Sequence, residues 1–252
     1  MTSQRQGRAP SRLELRGVSK NFGGVHAVED VHLRIDSGEV VALLGDNAAG
    51  KSTVARIIGG VLQPDAGSLT MDGERVVIDS PRAASRLGIA SVFQEQQLVE
   101  SLDVVENLFL GQELRARTGL LDSHTMREQA REHLGRLSAR VPDLQVPLQS
   151  LSAGQRQCVA IARTLVNDPS VVVLDEPTAS LSVSQTAVVL DYIDNLRERG
   201  LGVLLISHNL ADVRAVADRV EVLRHGRNNG SFSASLTSYE ELIAAITGAA
   251  QF

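Results

Sequence analysis

The run from Gly45 to Thr53 carries the strongest chemical signal in this sequence. It reads Gly45-Asp46-Asn47-Ala48-Ala49-Gly50-Lys51-Ser52-Thr53, which is a glycine, four residues and then Gly-Lys-Ser. In such a loop the backbone N–H groups and the start of the following helix face phosphate oxygens. The Lys51 ammonium can reach the β- and γ-phosphates, and the Ser52 hydroxyl can ligate Mg²⁺. The pattern therefore predicts a nucleotide-phosphate site.

Four further positions offer polar side chains at the ends of apolar runs or ahead of a helix. Taken singly, Ser152 could be an ordinary helix N-cap, Asp175-Glu176 a strand-ending turn, and His208 a solvated histidine. An Asp after a buried strand suits Mg²⁺, and the next Glu suits a base that faces a water. Their order around one phosphate loop favours joint chemistry by Gln94, Leu151-Ser152-Ala153-Gly154-Gln155, Asp175-Glu176 and His208.

The elements that must position these residues alternate along the chain. Short, wholly apolar runs at 40–44, 171–174 and 202–206 predict strands buried on both faces of a sheet. Helical patterns follow them, and two alternating β segments precede them near residues 13–18 and 28–35. A hairpin is predicted at Asp72-Gly73, and residues 103–140 have a helical pattern with one apolar face. We therefore expect an α/β phosphate-loop NTPase core with a mostly parallel sheet, an N-terminal antiparallel β subdomain and a helical insert.

Composition excludes several classes. The 252 residues are 43% hydrophobic, which is the globular range, and the net charge of -5 argues against a dedicated nucleic-acid binder. Only two of the 25 basic residues are lysines, and one of them is Lys51. Cys158 is the single cysteine, so no intrachain disulfide forms, and its surroundings predict a small buried side chain rather than a reactive thiol. No run is long and apolar enough for a membrane span, and residues 1–11 are expected to be a flexible tail.

Taken together, these motifs resemble the ATP-binding-cassette ATPases that energise ABC transporters, over about Leu13 to Gly248. The resemblance implies a single ATPase domain over 12–250 with a helical subdomain at about 95–155. It also implies these roles: Phe22 stacking on adenine with Val28 nearby, 45–53 as Walker A, Gln94 as the Q-loop residue on Mg²⁺ and the lytic water, 151–155 as the signature motif, Asp175 as the Walker B aspartate, Glu176 as catalytic base and His208 as the switch histidine.

A finer resemblance is to the ATPases of simple-sugar importers. It rests on Ser80-Pro81-Arg82-Ala83-Ala84, Phe93-Gln94-Glu95, Glu106-Asn107-Leu108-Phe109-Leu110-Gly111 and Ile206-Ser207-His208-Asn209-Leu210. It implies ATP and Mg²⁺ as cofactors, and a location at the cytoplasmic face of the membrane. The implied partners are a second cassette, expected to be identical, transmembrane permease subunits and an extracytoplasmic sugar-binding protein, with no nucleic acid. In this family the signature serine of one cassette caps the γ-phosphate held by the other, so two cassettes sandwich two ATP.

Two departures from the family pattern leave alternatives open. Ala48 stands where these cassettes usually have Gly, which predicts weakened ATP binding if its φ is positive. Ser182, which ends Ala179-Ser180-Leu181-Ser182, replaces an Asp and puts cross-subunit coupling in question. One alternative is a regulatory or weakly active ATP-binding module. The other is a non-transport cassette, but the segment from Gln94 to Ser152 is too short for the coiled coil of the repair type.

Overall fold

Two β-sheets form the frame of the protein, and the computed structural model describes residues 12–93, 98–136, 141 and 143–249. The larger sheet has six strands in the order β10-β9-β3-β8-β7-β6. Its strands are β3 (Val40–Leu44), β6 (Ile89–Val92), β7 (Val171–Asp175), β8 (Gly202–Ile206), β9 (Arg219–Arg224) and β10 (Arg227–Ser233). All neighbours are parallel except the β9–β10 pair. The predicted mostly parallel sheet is confirmed.

The smaller sheet is antiparallel and has the order β2-β1-β4-β5. It consists of β1 (Leu13–Phe22), β2 (Val25–Ile35), β4 (Ala66–Met71) and β5 (Glu74–Val76). Met71 pairs with Glu74 across the predicted turn at Asp72-Gly73. The N-terminal β subdomain is therefore present, and its first two strands are longer than the sequence pattern predicts.

Eight α-helices complete the described part of the chain. They are α1 (Lys51–Ile58), α2 (Pro81–Arg86), α3 (Val104–Phe109), α4 (Ser123–Arg136), α5 (Ala153–Thr164), α6 (Val183–Glu198), α7 (Leu210–Val216) and α8 (Tyr239–Thr247). None of them is long and apolar enough to cross a membrane. The predicted N-terminal tail, residues 1–11, lies outside the described residues.

The helical insert differs from the continuous helical pattern expected over 103–140. Only α3 and α4 are α-helices in its described part, and an irregular segment separates them. Gly111 and Gly119 in that segment both have a φ of 82°, which no α-helix accommodates. The apolar face of α4 is real, since Met126, Ala130 and Leu134 are buried. Residues 103–140 are rich in helix-forming residues, but Gly111 and Gly119 interrupt the helix between α3 and α4.

The large sheet has an apolar cluster on each face, as its uninterrupted apolar strands require. Alternate residues of β3 divide between the clusters: Val40, Ala42 and Leu44 pack with α5 and α6, and Val41 and Leu43 pack with α1 and the antiparallel sheet. Both faces of the central strands are thus excluded from water. The carboxyl ends of these strands are left as the edge at which polar side chains can gather.

A buried ion network joins the two sheets at their other end. The Arg219 guanidinium contacts the Glu221 carboxylate and donates to Glu39 Oε1 over 2.9 Å and to the Arg34 carbonyl of β2. Ser231 Oγ donates to Glu221 Oε1 over 2.7 Å. Burial raises the pKa of Glu221, opposed by the Ser231 hydrogen bond and the Arg219 charge. Arg219 therefore compensates two acidic groups that are costly to bury alone.

Arg219→Leu should lower the free energy of unfolding by about 3 kcal/mol, because it leaves the Glu221 carboxylate buried without its cation. Urea denaturation measures this change. The matched control is Arg16→Leu, since Arg16 also pairs with a carboxylate, Glu14, but is 62% exposed. We expect the control to cost less than about 1 kcal/mol. Equal losses in both variants would show that burial does not set the strength of the Arg219 network.

Candidate functional site

The loop from Gly45 to Gly50 leads from β3 into α1 and is closed by its own lysine. Lys51 Nζ donates to the Gly45 carbonyl over 2.8 Å and to the Asp46 carbonyl over 2.9 Å. Burial lowers the pKa of Lys51, and the nearby carboxylates of Glu176, Asp175 and Asp46 oppose that shift. An ammonium has three donors, so one N–H remains for a phosphate oxygen.

Glycine is required where this loop meets β2. Gly50 has a φ of 100°, and a Cβ at this position would lie 2.6 Å from the Ala27 carbonyl oxygen. Ala48 also has a positive φ, 62°, which is the condition for strain stated from the sequence. L-residues pay for this left-handed conformation, so an alanine here is costlier than a glycine.

Asp175, at the end of β7, lies beside the first turn of α1. The Ser52 hydroxyl hydrogen-bonds its carboxylate, and the pKa of Asp175 is raised chiefly by burial. Asp175 Oδ1 is buried with no hydrogen-bond partner among the described residues. A hard divalent cation with oxygen ligands fits this pair, since it would compensate the buried charge and use the unsatisfied oxygen.

Glu176 and His208 meet at the next position of the same edge. Glu176 Oε2 is 2.7 Å from His208 Nδ1, although 32 residues separate them. The Glu176 side chain is 13% exposed and the His208 side chain 70% exposed. This contact engages Nδ1 of the His208 ring, and His208 also contributes to the lining of the cleft. Glu176 also has a φ of 53°, and its N–H donates to the Ile206 carbonyl.

The phosphate loop, Glu176 and His208 line one open cleft of about 500 Å³. Asp175 does not line it but is hydrogen-bonded to Ser52, which does. From the predicted set the cleft contains Phe22, Asn47, Ala48, Ala49, Gly50, Lys51, Ser52, Thr53, Glu176 and His208. Gly45 and Asp46 serve the cleft through the carbonyls that hold Lys51. Segments that are far apart in the sequence thus supply a phosphate loop, a buried carboxylate and a Glu–His pair to one place.

The outer end of the cleft differs in one respect from the sequence prediction. Phe22 is 47% exposed and lies at the tip of the β1–β2 hairpin, where an aromatic ring is free to stack on a base. Val28 is fully buried and packs behind Gly50, whereas Val25, paired with Phe22 across the hairpin, lines the cleft. Val25 rather than Val28 therefore lies beside the aromatic ring. The signal that sequence reasoning missed is the Gly23-Gly24 turn, which pairs Phe22 with Val25 across the hairpin.

Lys20, the other lysine, supports the aromatic ring. Its Nζ lies 5.9 Å from the Phe22 ring centroid and 2.7 Å from Asp65 Oδ1. The Asn21 N–H donates to the other oxygen of Asp65 over 2.7 Å. These contacts fix the last residues of strand β1 and orient the hairpin tip that carries Phe22.

The residues 151–155 lie away from this cleft. Ser152 caps α5 in a reciprocal arrangement with Gln155, in which Gln155 N–H donates to Ser152 Oγ and Ser152 N–H to Gln155 Oε1. Ser152, Gly154 and Gln155 line a second cavity of about 660 Å³ between α5 and α6. This cavity shares no lining residue with the first. Because its oxygen serves as an acceptor in the cap, the Ser152 hydroxyl proton remains available to an external anion.

The signature region also touches the segment that holds Ser182. A Cβ on Gly154 would lie 2.8 Å from Gln185 Cγ, so Gly154 allows α6 to approach α5. Ser182 precedes α6, and its N–H donates to Gln185 Oε1 over 3.0 Å. Ser and Asp are both favoured at a helix N-cap. The replacement of Asp by Ser182 therefore keeps the residue type that starts this helix.

The remaining positions are Gln94, Cys158 and the Thr178–Asp212 pair. Gln94 lies outside the described residues, so its proposed role stays a prediction. Thr178 and Asp212, which the motif reading did not single out, are joined by a hydrogen bond of 2.7 Å close to the Glu–His pair. No spacing in the sequence indicates this contact, because its partners belong to separate segments. Cys158 is buried, and burial raises the pKa of its thiol to about 11, as expected of an unreactive side chain.

Comparison with known proteins places this site among relatives. A family model described as ABC transporter matches residues 28–179. The xylose/arabinose import ATP-binding protein XylG of Sulfolobus acidocaldarius is 41% identical over 235 residues, which is 93% of each chain. The ribose import ATP-binding protein RbsA 2 of Burkholderia ambifaria is 41% identical over 236 residues, 94% of this chain and 46% of the relative. The chain thus spans about half the length of that ribose relative.

A solved structure of an ATP-binding cassette has the same fold. It is a dimeric post-hydrolysis state of the ATP-binding cassette MJ0796 bound to ADP and Pi. This chain superposes on it with a TM-score of 0.75 at 26% identity, covering 89% of this chain and 100% of that one. The predicted fold class is therefore confirmed.

Ala48→Gly should tighten ATP binding by up to about fivefold, because bound phosphate requires the loop to keep the strained conformation that glycine adopts at a cost lower by about 1 kcal/mol. Titration calorimetry with ATP in both proteins measures the difference. The matched control is Ala66→Gly, on β4 outside the cleft, which we expect to leave affinity unchanged. An unchanged affinity in Ala48→Gly would show that this alanine is harmless.

Proposed function

The chain belongs to the ABC transporter family of ATP-binding cassettes, and from this premise we propose that it hydrolyses ATP to energise uptake of a simple sugar. The observation that carries the proposal is the convergence of Lys51, Glu176 and His208 on one cleft. A phosphate loop alone only binds a nucleotide. The carboxylate and imidazole beside it supply what hydrolysis needs, a group that orients water and a group that faces the terminal phosphate.

The chemistry follows from the contacts in the cleft. Glu176, 2.7 Å from the His208 ring, holds the imidazole orientation and accepts a proton or a hydrogen bond from the attacking water. Lys51 neutralises charge on the β- and γ-phosphates, and the loop N–H groups hold them in line. Phe22 offers its exposed ring to adenine. These residues together bind, orient and polarise the terminal phosphate for attack by water.

Magnesium belongs to this proposal because of the residues that would hold it. Ser52 and Asp175 are hydrogen-bonded to one another, and Asp175 Oδ1 is buried without a partner in the described ranges. Gln94 is proposed as a further ligand. When bound, Mg²⁺ would neutralise the charge that develops on the phosphate oxygens.

A complete ATP site on this reading needs a second cassette. The phosphate loop and the signature residues line separate cavities in this chain, so each chain supplies two different half-sites. Ser152 at the start of α5 presents helix N–H groups and a hydroxyl, which suit the γ-phosphate held by the other cassette. The solved dimeric cassette MJ0796 supports this arrangement by likeness.

The substrate and the remaining partners rest on the named relatives. Those relatives import xylose, arabinose or ribose, according to their names. We propose a pentose or a similar sugar for this chain, with permease subunits that form the pore, an extracytoplasmic binding protein that selects the sugar, and a position at the cytoplasmic face of the membrane. Conformational change in the helical subdomain, 95–155, would transmit the ATP cycle to the permease.

A regulatory module that binds ATP without hydrolysing it is the second candidate. Ala48 and Ser182 favour it, since both depart from the family pattern. Against it, Lys51, Asp175, Glu176 and His208 are all present, and Lys51, Glu176 and His208 line the same cleft. Measurement of phosphate release separates the two.

Glu176→Gln should reduce steady-state ATP hydrolysis by about 100-fold or more, because the amide cannot accept the proton from water. ATP binding should persist, so the variant should accumulate as an ATP-bound dimer on size-exclusion chromatography. Glu240→Gln, at an exposed position of α8, is the matched control and should leave both measurements unchanged. Lys51→Ala should abolish hydrolysis. If Glu176→Gln keeps wild-type hydrolysis and forms no dimer, the assignment of Glu176 is wrong.

Sugar uptake is tested by reconstitution of this chain in liposomes with a pentose permease and its pentose-binding protein. ATP hydrolysis in liposomes should rise when a pentose-loaded binding protein is added and should not rise with a loaded amino-acid-binding protein. A response to neither sugar nor binding protein would remove the substrate assignment and leave the ATPase assignment standing.

A further inference from the structure

Thr178 and Asp212 form a second link between the two segments that carry Glu176 and His208. Thr178 Oγ1 donates to Asp212 Oδ2 over 2.7 Å. Thr178 lies two residues after Glu176, and Asp212 lies four residues after His208, in the first turn of α7. The Glu176–His208 contact and the Thr178–Asp212 contact therefore connect the same two pieces of chain.

The second link lies deeper than the first. Asp212 is 7% exposed, whereas the His208 side chain is 70% exposed. In the part of the chain that the structure describes, no ion pair links Asp212 to a Lys, Arg or His, and its carboxylate accepts the Thr178 hydrogen bond in the first turn of α7. A buried carboxylate depends on its hydrogen bonds, and a bond to a charged acceptor is stronger than a neutral one.

The backbone hydrogen bonds of the loop after β7 lie mostly within the loop, although Pro177 is buried and Leu181 packs against the core. The Ala179 N–H donates to the Glu176 carbonyl over 3.2 Å and the Leu181 N–H to the Thr178 carbonyl over 3.3 Å, both within the loop itself. The Glu176 N–H donates to the Ile206 carbonyl over 2.9 Å, which ties the start of the loop to β8. Among the side chains of 177–179, Thr178 supplies a hydroxyl, and this hydroxyl donates to Asp212 of α7.

His208 gains little from packing, so its place depends on α7. With the Glu176 contact alone, the loop and the helix could pivot about one point, and the imidazole could leave the position it needs. A second contact, two residues along the loop and one turn along the helix, removes that freedom. Small displacements of reacting groups cost large factors in rate.

We propose that Asp212 and Thr178 are positioning residues for ATP hydrolysis, which hold the loop after β7 and the start of α7 in the register that brings Glu176 and His208 together. The inference rests on the proposed ATPase function and deepens it. Neither residue touches the nucleotide cleft, whose lining includes neither. They act through the Glu–His pair and affect turnover rather than binding.

The test separates positioning from folding and from binding. Thr178→Val removes the hydroxyl and keeps the shape, and it should lower kcat at least about tenfold with KM for ATP close to wild type. Its melting temperature should fall, because the buried Asp212 carboxylate loses its donor. Thr178→Ser restores the hydroxyl and should recover kcat to within about twofold. The double variant Thr178→Val/Asp212→Asn also removes the stranded charge, so it should fold as well as wild type and keep the low kcat.

The matched control uses the same type of contact elsewhere. Thr125 Oγ1 donates to Asp122 Oδ2 over 2.8 Å in the helical insert, and Thr125→Val should leave kcat unchanged. A Thr178→Val kcat within twofold of wild type, or an equal loss in Thr178→Ser, overturns the inference alone. A wild-type protein that hydrolyses no ATP overturns the proposed function and this inference with it.

Discussion

Parallel pairing of β3, β7 and β8 brings together residues that the sequence keeps far apart. Each of these strands is wholly buried, and each ends at the same edge of the sheet. The phosphate loop leaves the first, Asp175 and Glu176 end the second, and His208 follows the third. Since β8 lies between β3 and β7, the histidine segment is adjacent to both, and the Glu–His contact follows from strand order. The catalytic geometry is therefore a consequence of sheet topology.

The strands of this edge could be predicted from the sequence because burial on both faces leaves an uninterrupted apolar run. Val40–Leu44, Val171–Asp175 and Gly202–Ile206 match the predicted runs closely. The outer strands β9 and β10 have no such signal. β9 carries Arg219 and Glu221 in its buried network, so it forms no apolar run although Arg219 to Val222 alternate, and β10 is mostly polar. Ion pairing in place of apolar packing conceals a strand from pattern reasoning.

Site prediction has a similar boundary. Lys51, Ser52 and the Asp175-Glu176 pair could be assigned because their chemistry needs fixed residue types at fixed spacing. Val28 shows the limit: it is near Phe22 in sequence, but the hairpin pairs Phe22 with Val25 and sends Val28 behind the loop. The Thr178–Asp212 contact depends on how a loop packs on a helix, and no spacing specifies that. Candidate phosphate-binding residues can thus be recognised from the sequence. The contacts proposed to position them can be recognised only from the folded structure.

The helices α5 and α6 begin in the same way, and one glutamine connects their first turns. Ser152 and Ser182 each exchange backbone and side-chain contacts with a glutamine three residues later, Gln155 and Gln185. Gln185 also packs on Gly154, where a Cβ would approach within 2.8 Å. The loop that carries Glu176 leads directly into Ser182, so a shift of that loop reaches the signature residues through one glutamine. Because those residues lie in a cavity separate from the cleft beside the phosphate loop, the contact between Gln185 and Gly154 joins the loop that carries Glu176 to that second cavity.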